Sequence, residues 1–206
     1  MIRRFEEDTA LLVIDAQKGV NDLTHWGGVN GRRNNPEAET RLLRLMQAWR
    51  QATMPVIFTQ HDSRQKISPL KLDAPGGAFM AGLEPRPSEL VVRKDVNSAF
   101  IGTVLELELR RRQIRRLVVA GFFTNFCVET TVRMAGNMGF DTYLAHDACA
   151  TTNRLGPDGT DHDPQLIHDL AVTSMHGEFC TAVDTDQLLQ LLQQDARDLS
   201  RVQGNE

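Results

Sequence analysis

The chain has 206 residues with a formal charge of −4, 41% hydrophobic and 24% charged, enough length to bury one substantial core, and it reads as a single domain over 1–206. The acidic balance gives no electrostatic footprint for nucleic acid or an anionic membrane surface, and no apolar run approaches the roughly 20 residues a membrane helix needs. The N-terminal MIRRFEEDTA lacks the apolar stretch of a secretory signal, and three cysteines without CxxC spacing do not suggest a disulfide framework; the expected home is the reducing cytoplasm.

Six short apolar runs, at 10–14 (ALLVI), 55–59 (PVIFT), 90–92 (LVV), 117–120 (LVVA), 142–145 (TYLA) and 179–183 (FCTAV), are too short for helices. Their continuous apolarity points to parallel strands covered on both faces. Between them lie helical patterns. The segment 37–51 follows Pro36 and spaces Leu42, Leu45, Met46 and Trp49 on one face. The segment 99–112 repeats the pattern with Phe100, Val104, Leu107 and Leu109 and ends in arginines that suit a helix C-terminus. Helices are predicted at 124–138 behind Thr124 and at 164–175 behind Asp163 as capping residues. A last one at 186–199 carries Leu188, Leu189, Leu191 and Leu192 and is expected to cover an open edge or a partner subunit. The alternation implies right-handed βαβ crossovers and a three-layer α/β fold. The long Pro- and Gly-rich stretch 62–88 breaks the rhythm and reads as a lid or pocket wall.

In open α/β sheets ligands bind beyond the carboxyl ends of the strands, near the point where strand order reverses. Asp15 follows the first strand, Lys94 the third, and Cys127 the fourth, in GFFTNFC. An acid, a base and a thiol thus fall on one sheet edge. Cys127 sits in the first turn of a helix, where backbone N–H groups favour a thiolate and can hold an oxyanion. Asp15 can exchange a proton with the thiol and with a leaving amine. Each residue alone has a plainer explanation, as a packing cysteine, a strand-end cap or a solvated lysine; the three together do not.

These residues carry a resemblance to the isochorismatase-like cysteine hydrolases, which include N-carbamoylsarcosine amidase and nicotinamidase. It runs through LVIDAQ at 12–17, RKDVNSAF at 93–100, VAGFFTNFCVETT at 119–131 and HDA at 146–148. The resemblance implies a Rossmann-like, six-stranded, mainly parallel sheet in the order 3-2-1-4-5-6. It also implies an Asp15–Lys94–Cys127 triad and a non-proline cis peptide between Phe122 and Phe123, which aims the Phe123 N–H, with that of Cys127, at the substrate oxygen. A homodimer or homotetramer is expected, with a small molecule as partner and no cofactor.

Two departures narrow the expected chemistry. Isochorismatases proper generally lack the cysteine, so Cys127 shifts the weight to C–N hydrolysis of an amide, carbamoyl or ureido compound through a thioester. Nicotinamidases build a metal site on an Asp-x-His pair after the second strand; here that pair is Thr59-Gln60-His61, so no metal is expected. Vinyl-ether hydrolysis and a non-enzymatic redox or binding role stay open as alternatives. Candidate substrate-binding residues are Gln17, Trp26, His61, Asn97 and Phe100, with His25 beside Trp26. Gln17 is also a candidate support for Asp15, His61 a structural histidine or support for Asp15, and Asn97 a helix cap. The arginines at 110–112, 115 and 116 read as a solvated helix end, and Cys149 and Cys180 as packing residues.

Overall fold

The computed structural model describes residues 5–192. In chain order the strands are β1 (Thr9–Ile14), β2 (Val56–His61), β3 (Leu90–Lys94), β4 (Arg116–Phe122), β5 (Asp141–Ala150), β6 (Arg154–Leu155), β7 (Asp161–His162) and β8 (Thr181–Val183). Six of them form one parallel sheet in the order β3-β2-β1-β4-β5-β8, and β6 and β7 make a separate hairpin. Apart from that hairpin this is the expected α/β order. Every residue of β1 is buried, as are all but the first of β4, the burial expected of strands covered on both faces.

The helices are α1 (Leu23–Gly27), α2 (Ala38–Gln51), α3 (Leu105–Arg111), α4 (Glu129–Asn137) and α5 (Pro164–Met175). Right-handed crossovers from β1 through α2 to β2 and from β4 through α4 to β5 leave the sheet centre in opposite directions, so their helices take opposite faces. The predicted face of α2 is the buried one: Leu42, Leu45, Met46 and Trp49 are fully enclosed. Asp163 caps α5 by accepting from the Gln165 N–H at 2.8 Å. A further helical stretch starts at 185 and is described to 192, with Leu188 and Leu192 in the core; the remainder of the helix expected at 186–199 lies outside the described residues. Among the described residues no helix is long and apolar enough to cross a membrane.

Three expectations need correction. The helix predicted over 99–112 is only α3, and its apolar face is only partly the predicted one: Leu109 is buried as expected, but Val104 and Leu107 are exposed and Leu105 is buried in their stead. The preceding segment is held in turns by local side-chain bonds that compete with helix. Ser98 Oγ accepts from the Phe100 N–H at 3.2 Å, Thr103 Oγ1 accepts from the Leu105 N–H at 3.2 Å, and Gly102 sits at φ 68°. Thr124 does not cap its helix. The chain after β4 enters a π-type turn at Thr124–Val128 before α4 begins, and the Thr124 hydroxyl lies 2.9 Å from His168 Nδ1 instead. The last run is a strand only over Thr181–Val183.

The stretch 62–88 docks beside the end of β1. Lys18 N–H donates to Ala78 O at 2.8 Å and Met80 N–H to Ala16 O at 2.9 Å, so it walls the sheet edge where Asp15 emerges.

Candidate active site

Register sets the site. Ile14 pairs with Gly121, and His61 pairs with Lys94 on the adjacent strand, so Asp15, His61, Lys94 and the turn after β4 share one edge. Asp15 adopts φ 47°, a left-handed conformation in which Asp is among the better-tolerated residues. Thr59 holds it there: its hydroxyl donates to Asp15 Oδ1 at 2.5 Å and accepts from the Asp15 N–H at 3.1 Å.

The Lys94 side chain is fully buried. Its ammonium lies 2.6 Å from Asp15 Oδ2, 2.9 Å from His61 Nδ1, 3.2 Å from Val96 O and 3.3 Å from Cys127 Sγ. Three N–H donors therefore face four acceptors, and the sulfur has the longest of the four contacts. Asp15, His61 and Cys127 also form a metal-type donor set, with one atom from each within 4.8 Å of the others. In this chain those three atoms surround a cation of its own. Thr59, where the nicotinamidase pattern has an Asp, has its hydroxyl committed to Asp15.

The charges follow from this packing. Burial alone would raise the Asp15 carboxyl, but the Lys94 ammonium, with His61, outweighs it and holds the group well below the carboxylate range. Burial opposes the Lys94 charge, and Asp15 and Cys127 restore it, leaving the ammonium more basic than usual. Burial, followed by the Asp15 charge, pushes the Cys127 thiol far above its usual range, with Lys94 pulling the other way. The thiolate expected from a helix N-terminus is therefore corrected: the resting trio is carboxylate, ammonium and neutral thiol.

Cys127 and His61 open onto a cavity of about 460 Å³. Its walls include His25 and Trp26 of α1, Phe122, Phe123 and Phe126 beside the nucleophile turn, and Asn97, whose Oδ1 lies 3.8 Å from Cys127 Sγ. The Phe122–Phe123 peptide is cis, as the resemblance implies. Trp26 is fixed by its Nε1–H to Gly19 O at 2.7 Å and packs edge-on against Phe123. Two proposed pocket residues are elsewhere. Gln17 is fully buried outside the cavity, donating to His61 O and Gly77 O at 3.0 Å each and accepting from the His61 N–H at 2.7 Å. Phe100 stacks on Phe140 in the core. Sequence reasoning missed Thr59, Ser63, Gln65 and Arg154. Thr59 shares the face of β2 with His61, two residues on, and the strand-end rule applied at that spacing would have found it. Arg154 sits on a two-residue strand with no periodic signal.

Cys149 and Cys180 are buried and unpaired, and burial pushes both thiols up to about 12, in keeping with packing residues. The arginines of α3 and its C-terminal flank pair with Glu106, Glu108, Asp8 and Asp141.

The isochorismatase domain model matches residues 9–187. The chain is 39% identical to the isochorismatase family protein YrdC of Bacillus subtilis (strain 168), over 89% of this chain and 96% of that one. It is 38% identical over 81 residues to the ureidoacrylate amidohydrolase RutB of Agrobacterium fabrum, covering 39% of this chain and 34% of RutB. The crystal structure of an isochorismatase-family putative hydrolase from Chromobacterium violaceum superposes with a TM-score of 0.86 at 41% identity, covering 93% of this chain and 97% of that one. With the domain matched along most of its length and the sheet order that the resemblance implied, the chain belongs to the isochorismatase family of hydrolases.

Proposed function

We propose that the chain hydrolyses a C–N bond in a small amide, carbamoyl or ureido compound through a thioester on Cys127. The observation that carries this reading is the Lys94 ammonium in simultaneous contact with Asp15 Oδ2 and Cys127 Sγ, with the sulfur opening onto a cavity. The similarity to an enzyme named as an amidohydrolase supports it.

A strongly acidic Asp15 and a weakly acidic thiol make proton transfer uphill in the empty site. The proton therefore leaves Sγ for Asp15 as the C–S bond forms, not before. The carbonyl π pair moves to oxygen, whose charge the N–H groups of Phe123 and Cys127 are assigned to hold. Asp15 then returns its proton to the departing nitrogen as the C–N bond breaks, leaving a thioester and a free amine or ammonia. Water attacks the thioester, giving a proton to Asp15; the C–S bond breaks, and that proton goes to Sγ. Lys94 stays charged throughout and balances whichever of carboxylate or sulfur carries the negative charge.

The alternatives fit the charges less well. Vinyl-ether hydrolysis asks Asp15 to supply a proton, yet Lys94 holds it ionised. A redox sensor needs a thiolate, and burial with the Asp15 charge keeps this thiol protonated. The test is a panel of amides, carbamoyl compounds and ureides followed by mass spectrometry. A productive substrate releases amine or ammonia and leaves an acyl adduct on Cys127, and Cys127→Ala lowers turnover by about 1,000-fold or more. Full turnover by Cys127→Ala would refute the mechanism.

A further inference from the structure

We propose that the cavity takes a substrate bearing a carboxylate, and that Arg154 is the specificity-determining residue that binds it. This rests on the reading above in placing the scissile carbonyl at Cys127.

Among the described residues no Asp or Glu lines the cavity, while Arg154 does. Arg154 NH1 donates to Trp26 O at 3.3 Å, and its Cζ lies 4.8 Å from the centre of the Phe126 ring, the residue next to the nucleophile. Among the described residues no carboxylate pairs with it. The acids of its own hairpin are engaged elsewhere: Asp161 meets Arg32 and the Asn153 side-chain amide at 2.8 Å each, and Asp158 accepts from the Thr160 hydroxyl at 2.8 Å. A half-buried guanidinium whose contacts are one carbonyl and one ring keeps most of its five N–H donors available.

Its support is rigid. The adjacent Asn153 donates to Gly27 O at 3.2 Å and accepts from the Arg32 N–H at 2.8 Å, tying the foot of the hairpin to the segment that carries Trp26. A guanidinium held in place loses little freedom on binding, and its planar fork matches a carboxylate bidentately. The aromatic walls of Trp26, Phe123 and Phe126 strengthen that contact by keeping water away.

The test uses two probes of matched size, N-carbamoylglycine and its neutral amide, N-carbamoylglycinamide. Each is titrated for protection of Cys127 against iodoacetamide, read by mass spectrometry, while released ammonia is followed separately. The carboxylate is expected to protect at about tenfold lower concentration than the amide. Arg154→Gln should erase that preference and Arg154→Lys should keep part of it. The preference is a ratio within each variant, so a change in overall thiol reactivity cancels. Equal protection by the two probes, protection by neither, or an undiminished preference in Arg154→Gln overturns the proposal. An Arg154-dependent preference without ammonia release from any amide would leave the carboxylate site standing and count against hydrolysis.

Discussion

Gln17 and His61 are joined twice: Gln17 Oε1 accepts from the His61 N–H at 2.7 Å and Gln17 Nε2 donates to His61 O at 3.0 Å. One buried amide thereby fixes the backbone of a residue whose ring touches Lys94. Gln17→Leu keeps the volume and removes both of these bonds as well as the one to Gly77 O, leaving the His61 N–H without its acceptor. A buried unmet donor costs about 1–3 kcal/mol, and the loss of the other bonds adds to it. Urea denaturation is expected to show about 2–4 kcal/mol lower stability. A change below about 0.5 kcal/mol would mean that the amide is not a structural clamp.

Lys94 and Asp15 also bind their charges to stability. The Asp15 carboxyl is depressed in the folded chain, so its contribution is present above the unfolded value near pH 4 and fades as pH falls through the lower folded value. Lys94 is raised, so its contribution is full below about pH 10 and fades as pH rises through the folded value. Between those limits the pair is intact. Lys94→Met leaves a buried carboxylate without its cation and is expected to cost about 3–5 kcal/mol at pH 7. The deficit should shrink towards low pH, where Asp15 protonates; a pH-independent deficit would show that packing, not charge, holds Lys94.

Asp15→Asn separates thiol reactivity from turnover. The Asp15 charge helps to keep the thiol protonated while Lys94 pulls the other way. Removing it leaves the ammonium alone beside the sulfur, and Thr59 can still donate to the amide oxygen. Iodoacetamide should then alkylate Cys127 faster at pH 7–8, by about tenfold or more, while hydrolysis of any identified substrate is lost. Slower alkylation in Asp15→Asn would contradict the neutral-thiol resting state.

The strands were legible because short, mostly β-branched apolar runs form the inner parts of β1, β2 and β4, as expected of a sheet covered on both faces. The sheet edge then gathered Asp15, Lys94 and Cys127, since position at a strand end is itself sequence information. The segment 99–104 was misread because Phe100 and Val104 mimic a helical face, while Ser98, Gly102 and Thr103 specify turns instead. Gln17 was misplaced for another reason. A polar residue at the site edge can face the cavity or the backbone, and only the His61 and Gly77 contacts distinguish the two. The raised thiol follows from burial beside a carboxylate, which no linear pattern reports.

Gly121 sets how closely β1 and β4 approach beneath the site. It sits at φ 130°, and a Cβ there would lie 2.1 Å from Ile14 O and 2.8 Å from Ile14 N. Both contacts are to backbone, so no side-chain rotation relieves them. The only escape is to part the strands at the pair Ile14–Gly121, one residue before Asp15 and six before Cys127. Gly121→Ala therefore combines an unfavourable φ with a backbone clash and is expected to cost more than about 2 kcal/mol. Where the protein still folds, the strand separation should draw Asp15 away from the sulfur and lower turnover beyond what reduced stability explains. Gly139→Ala is the comparison: φ there is 82°, and an added Cβ meets nothing within 4 Å. It bears the backbone strain alone, so it should lose only about 1 kcal/mol with turnover intact. Equal losses of stability and activity in the two variants would remove the case for a close strand approach as the support of the site.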